Sequence, residues 1–77
     1  MNGHHDFCKT MMKATRQDAA GLGMHFPGLR AMRATRNLYL VEGDGGGEYV
    51  RGDCAWSAKA AFIERKMNHA RRGDTNR

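Results

Sequence analysis

The feature that most limits how this chain can fold is a run of glycines between two β-prone segments. Leu38-Tyr39-Leu40-Val41 is short and apolar, Gly43-Asp44-Gly45-Gly46-Gly47 follows, and Glu48-Tyr49-Val50-Arg51 resumes the strand-like pattern. Glycine admits the backbone dihedrals of a tight reversal, so these pieces predict an antiparallel hairpin. In the first strand Leu38 and Leu40 share one parity and Tyr39 and Val41 the other, so both faces of the sheet are expected to find cover. A phosphate-binding loop would need a following Lys-Ser or Lys-Thr and a helix, whereas here a strand follows. The glycines read as a turn.

The hairpin is followed by a helix. Asp53 is a good N-cap, and Trp56, Ala60, Ile63 and Met67 fall at spacings of four, three and four, with Ala55 and Phe62 widening the stripe. That pattern predicts an amphipathic helix over about residues 54–70, with Lys66, Arg71 and Arg72 toward its C-terminus and Gly73 ending it. In the first half, Phe7, Met11, Met12 and Ala14 have helical spacing, which predicts a helix over about residues 6–20 ended by Gly21 and Gly23. Residues 24–34 admit two readings. As a helix, Pro27 occupies its first turn and Leu29, Met32 and Leu22 face inward. As a strand, Pro27-Gly28 makes the turn, and Met32 and Ala34 alternate with Arg33.

At 77 residues the chain holds one small domain, able to bury only about 60% of its unfolded surface. The expected architecture is α+β: an N-terminal helix, an antiparallel β-hairpin and a C-terminal amphipathic helix packed on it, with residues 1–5 and 73–77 flexible. Leu38, Leu40, Val41, Val50, Trp56, Ile63 and Met67 are the expected core. No stretch is apolar enough to span a membrane, and no basic region followed by an apolar run marks a secretory signal, so a cytoplasmic location is expected. Cys8 and Cys54 are too few for a disulfide framework and are expected to be thiols there. Arg51-Gly52-Asp53 spells an adhesion tripeptide, but it falls where strand hands over to helix.

Little in the chain suggests catalysis. The histidines are His4, His5, His25 and His69. His5 with Cys8, even joined by His4, has no second ligand pair at metal-binding spacing, so no metal and no cofactor are expected. Cys54 at a helix N-terminus is placed to favour a thiolate, but no histidine lies at a fixed offset to serve it as a base. A binding protein is expected, not an enzyme.

The charge indicates the kind of partner. The net charge of +5 is front-loaded: residues 1–41 carry six basic and two acidic side chains, residues 42–77 seven and six. No acidic residue lies between Ala19 and Val41, and Arg30, Arg33 and Arg36 recur every three positions, which on a helix makes one ridge suited to phosphates or to an acidic protein. Arg71 and Arg72 offer a second basic point, and Tyr39 or Tyr49 an aromatic anchor.

Two resemblances add functional expectations. Thr15-Arg-Gln-Asp-Ala19-Ala-Gly-Leu22-Gly23-Met24, continued through Leu29 and Met32, resembles the helix-turn-helix family. With the hairpin and last helix it looks like the winged-helix excisionases, although Gly21 and Pro27-Gly28 depart from their pattern. That resemblance implies a recognition helix over residues 26–35, with His25, Arg30 and Arg33 facing DNA and the glycine turn as wing. Residues 38–67, from Tyr39-Leu-Val-Glu-Gly-Asp-Gly-Gly-Gly-Glu-Tyr-Val-Arg to Ala55-Trp-Ser-Ala-Lys-Ala-Ala-Phe-Ile, resemble in style small phage proteins, among them anti-CRISPR proteins. This implies a non-enzymatic inhibitor in the host bacterial cell, binding a Cas surface needed for target DNA or nuclease recruitment. The expected partner is an acidic protein surface or Cas complex, or nucleic acid in the winged-helix reading, with no membrane involved and the oligomeric state left open.

Overall fold

A computed structural model describes the backbone of residues 3–43 and 46–75 and the side chains of residues 6–43 and 46–70. The elements are α1 (Gly3–Gly21), β1 (Arg30–Thr35), β2 (Leu38–Gly43), β3 (Gly46–Arg51) and α2 (Ala55–Thr75). The strands form one antiparallel sheet in the order β1-β2-β3. Helix α2 packs against all three strands and against α1, whereas α1 packs on α2 and not on the strands. The α+β architecture expected from the sequence is therefore present, with a third strand added to the hairpin.

That third strand resolves the segment left open by the sequence. Gly28 has φ 68°, a region that a Cβ disfavours and that a type II turn with proline before it requires. The chain reverses at Pro27-Gly28, buries Leu29, and enters β1 with Ala31 opposite Val41 and Met32 opposite Leu40. The helix expected over residues 26–35 from the winged-helix resemblance is thus corrected to a turn and a strand. The link from β1 to β2 is Arg36-Asn37, with Asn37 at φ 63° and a register shift between Arg33 and Thr35. Asparagine tolerates this left-handed conformation because its side chain can bond locally, and it replaces the glycine that would have announced the turn.

The inner helix explains the alanines. Because α2 lies between the sheet and α1, it is buried over more than one stripe: Ala58, Ala60, Phe62, Ile63 and Met67 are buried, and Trp56 and Ala61 pack at the margin. Small side chains allow both neighbours to approach one helix closely. Helix α1 contributes Cys8, Met12, Thr15 and Ala19, spaced four, three and four, instead of the Phe7 and Ala14 face read from the sequence; Phe7 and Ala14 are exposed. The buried Thr15 hydroxyl donates to the Met11 carbonyl at 2.8 Å, so the stripe carries no unmet polar group. Phe26 meets Phe62 edge to face, with ring centroids 6.3 Å apart, and closes the core at the end away from the cysteines.

The helix ends follow from local hydrogen bonds. Past α1, the Gly23 amide donates to the Ala20 carbonyl at 2.9 Å and the Met24 amide to the Ala19 carbonyl at 2.9 Å, the paired bonds of a Schellman motif. At the start of α2 the N-cap is Cys54, not Asp53: the Ala58 amide donates to the Cys54 carbonyl at 3.0 Å. Ser57 completes the cap, its hydroxyl oxygen accepting the Asp53 and Cys54 amides at 3.0 and 3.1 Å. Gly52 lies so close to this turn that a Cβ would stand 2.9 Å from the Ala58 nitrogen and 3.0 Å from the Ser57 hydroxyl oxygen. The central residue of the adhesion tripeptide is therefore a steric requirement of the strand-to-helix junction. Helix α2 also runs through Gly73 to Thr75, past the end expected from the sequence. Of the segments expected to be flexible, residues 3–5 and 73–75 have helical backbone, and residues 1, 2, 76 and 77 lie outside the described residues.

Candidate functional site

The pairing register sorts the sheet into two faces. Ala31, Tyr39, Val41 and Val50 share the face covered by α2, where Val41 and Val50 are buried and Ala31 and Tyr39 pack against the core. Glu48 shares that parity and ties β3 to α2, its carboxylate accepting Arg65 at 2.7 Å and Lys66 at 2.8 Å. These bonds, that from Lys66 first and that from Arg65 second, hold the Glu48 carboxyl below its ordinary pKa.

Among the described residues the other face carries no helix. Met32, Leu40 and Tyr49 stand opposite one another across all three strands, and Leu38 is the next residue of the same parity on β2. Met32 is 50% and Tyr49 59% exposed, while Leu38 and Leu40 are half-buried by their neighbours. The expectation that both faces are covered, with Leu38 and Leu40 in the core, is corrected here. The second parity of β2 is apolar without a covering element among the described residues. Arg30 lies at one margin of the row opposite Glu42, and Arg51 at the other opposite Leu38. The result is an apolar row flanked along the strands by the Arg30–Glu42 pair on one side and by Arg51 on the other.

The sequence-derived site residues are distributed differently from expectation. Arg30 and Arg33 fall on opposite parities of β1, and Arg36 lies in the following turn, so the three do not form a ridge. All three are exposed. Tyr49 is exposed on the open face, whereas Tyr39 faces the core. The side chains of Arg71 and Arg72, like those of His4 and His5, lie outside the described residues. Met32 and Arg51 were not singled out from the sequence as site residues; they belong to the site only because β1 exists and pairs in this register. A strand assignment for residues 30–35 would have put Met32 on the face opposite to Ala31 and Arg33, and the register then sets it opposite Leu40.

Elsewhere, a groove of about 490 Å³ lies between the 24–29 segment, the hairpin and α2, floored by Leu29 and Phe62 and rimmed by Lys66 and His69. Its cation is already engaged, since Lys66 is paired with Glu48. Among the described residues no three His, Cys, Asp or Glu side chains gather as a metal site would require. No described helix is long and apolar enough to cross a membrane. No protein-family model matches the chain, and no significant match joins it to a curated protein or to a solved structure.

Proposed function

We propose that this chain acts by binding a protein partner on the open face of its sheet, and that it performs no catalysis of its own. The observation that carries this reading is the Met32-Leu40-Tyr49 row, aligned across three strands and exposed at both ends of the row. Tyrosine and methionine are enriched at interface centres, and the strand pairing already fixes the backbone that presents them. Arg51 at one margin, opposite Leu38, together with the net charge of +5, favours a partner whose apolar patch is bordered by carboxylates, while the Arg30–Glu42 pair presents both signs at the other margin.

Within that class the specific reading is an inhibitor of a CRISPR-Cas interference complex, occupying a Cas surface needed for target DNA or for nuclease recruitment. It rests on the resemblance of residues 38–67 to small phage inhibitors and on the small size and basic charge of the domain. The winged-helix alternative has lost its recognition helix to β1.

One experiment separates the two. The purified chain is mixed with an assembled interference complex and followed by size exclusion and by target-DNA binding. In parallel it is titrated with short duplex DNA over a salt series. The inhibitor reading expects co-elution and loss of target binding, with duplex affinity that is weak and insensitive to sequence. Sequence-selective duplex binding with a steep salt slope, or failure to co-elute with any interference complex, overturns it.

A further inference from the structure

The arginine ridge expected from the sequence is dispersed, but the fold assembles a basic ridge from other residues. Lys9, Lys13 and Arg16 are spaced four and three along α1, so they stand in one row, and all three are exposed. Each follows by one position a member of the buried stripe Cys8-Met12-Thr15, so the row runs beside the seam between α1 and α2. From across that seam α2 adds Lys59: its ammonium lies 4.9 Å from the centroid of the Trp56 ring, and the Lys9 ammonium lies 5.9 Å from the same centroid. Arg16 is held at the other end of the row, donating to the Phe26 carbonyl at 2.8 Å. A carbonyl and a half-buried indole orient these cations without cancelling their charge. Among the described residues no carboxylate pairs with any of the four, since the described ion pairs join Glu48 to Arg65 and Lys66. By the helical period Asp18 falls on the far side of α1 from the row, and Asp6 stands one turn before Lys9. Two ammoniums gathered at one ring repel each other, and an anion beside them relieves that repulsion.

We propose that Lys9, Lys13, Arg16 and Lys59 form a docking surface for the phosphate backbone of duplex DNA, bound without regard to sequence. Lys9 to Arg16 is a rise of seven residues, about 10 Å of helix axis at about 1.5 Å per residue, and each strand of a duplex presents a phosphate about every 3.4 Å of its axis. The row is therefore long enough to meet successive phosphates at once. Such contacts position a protein on DNA and carry no sequence information. A duplex fits better than a single strand, because single-strand sites offer open aromatic platforms for the bases, whereas Trp56 is half-buried and its ring is engaged by two ammoniums. The ridge is separate from the open sheet face, since α2 lies between the sheet and α1, and the inference does not rest on the Cas reading.

Short fluorescein-labelled duplexes of two unrelated sequences are the probe, titrated with the full chain and read by anisotropy from about 20 to about 200 mM KCl. The expected result is the same affinity for both duplexes, with log K falling against log salt at a slope of about −3 to −4, as four phosphate contacts give. The Lys9→Gln/Lys13→Gln variant, which leaves the Arg16 tether in place, should bind at least about tenfold more weakly at low salt and reduce the slope by roughly 2. The Arg33→Gln/Arg36→Gln variant removes the same charge from exposed positions off the ridge and should change the affinity less than about threefold. All four substituted side chains are exposed, so both variants should keep the wild-type circular dichroism and melt. Adding Arg16→Gln to the first pair should lower the slope again. Absence of binding at about 20 mM salt, equal losses in the two paired variants, or tighter binding of a single strand of the same length overturns the proposal.

Discussion

Val41 and Leu40 are adjacent on the central strand, yet the fold assigns them opposite roles, and a pair of substitutions tests that assignment. Val41 is fully buried beneath α2, whereas Leu40 lies on the open face between Met32 and Tyr49. Val41→Ala removes two buried carbons, about 0.8 kcal/mol each. The space they leave adds about 1 kcal/mol, at about 24 cal/mol per Å³ of residual cavity. The expected loss is about 2.5 kcal/mol, a large share of the total stability of a domain this size, about 4–12 kcal/mol. Leu40→Thr places a β-branched, strand-favouring residue on a half-exposed face and is expected to cost under about 1 kcal/mol. Urea unfolding followed by Trp56 fluorescence reads both, because Trp56 is the single tryptophan and packs against the core. With a slope of about 1 kcal/mol per M, the Val41 variant should shift the midpoint down by about 2.5 M and the Leu40 variant by less than about 1 M. Equal shifts, or a larger shift for Leu40, would refute the one-sided sheet.

Other expectations follow from particular contacts. Ser57→Ala removes the hydroxyl that accepts the Asp53 and Cys54 amides and should cost about 1 kcal/mol, measurable by thermal melting. Gly52→Ala drives a Cβ against the backbone of α2 and should destabilise more than that cap loss, with the strand-to-helix junction losing amide protection first. Glu48 has a carboxyl pKa lowered by folding, so its stabilisation is present above the unfolded-state value and is lost as pH falls through the folded one. Glu48→Gln should therefore lower stability by about 0.5 kcal/mol at pH 7, with the difference vanishing in acid and shrinking in high salt.

What the sequence revealed and what it hid have a common physical basis. The hairpin and α2 were legible because glycine, strand alternation and the Trp56-to-Met67 stripe are local signals that tertiary contacts reinforce. Strand β1 was ambiguous because Arg30, Arg33 and Arg36 satisfy a helical period as well as Met32 and Ala34 satisfy alternation, and its turn to β2 uses Asn37 where glycine would have been plain. The core of α1 was misread by one residue because Met11 and Met12 fit either of two stripes, and only the position of α2 selects Cys8, Met12, Thr15 and Ala19. Leu38 and Leu40 were assigned to the core on hydrophobicity alone. Their exposure to the open face is a property of topology, since α1 packs on α2 and leaves that side of the sheet bare. The same topology converts an expected arginine ridge into an apolar row with Arg30 and Arg51 on opposite flanks.

The most direct measurement of the central claim is the affinity of an assembled interference complex for the wild-type chain and for the Met32→Ser/Tyr49→Ser double variant. Both side chains are half or more exposed, so the variant should keep its circular dichroism and its cooperative melt. The account predicts that the wild type binds and blocks target DNA, and that the double variant binds at least about tenfold more weakly, a loss of about 1.4 kcal/mol or more. A folded double variant that binds and inhibits as the wild type does would show that the open face of the sheet is not the binding surface.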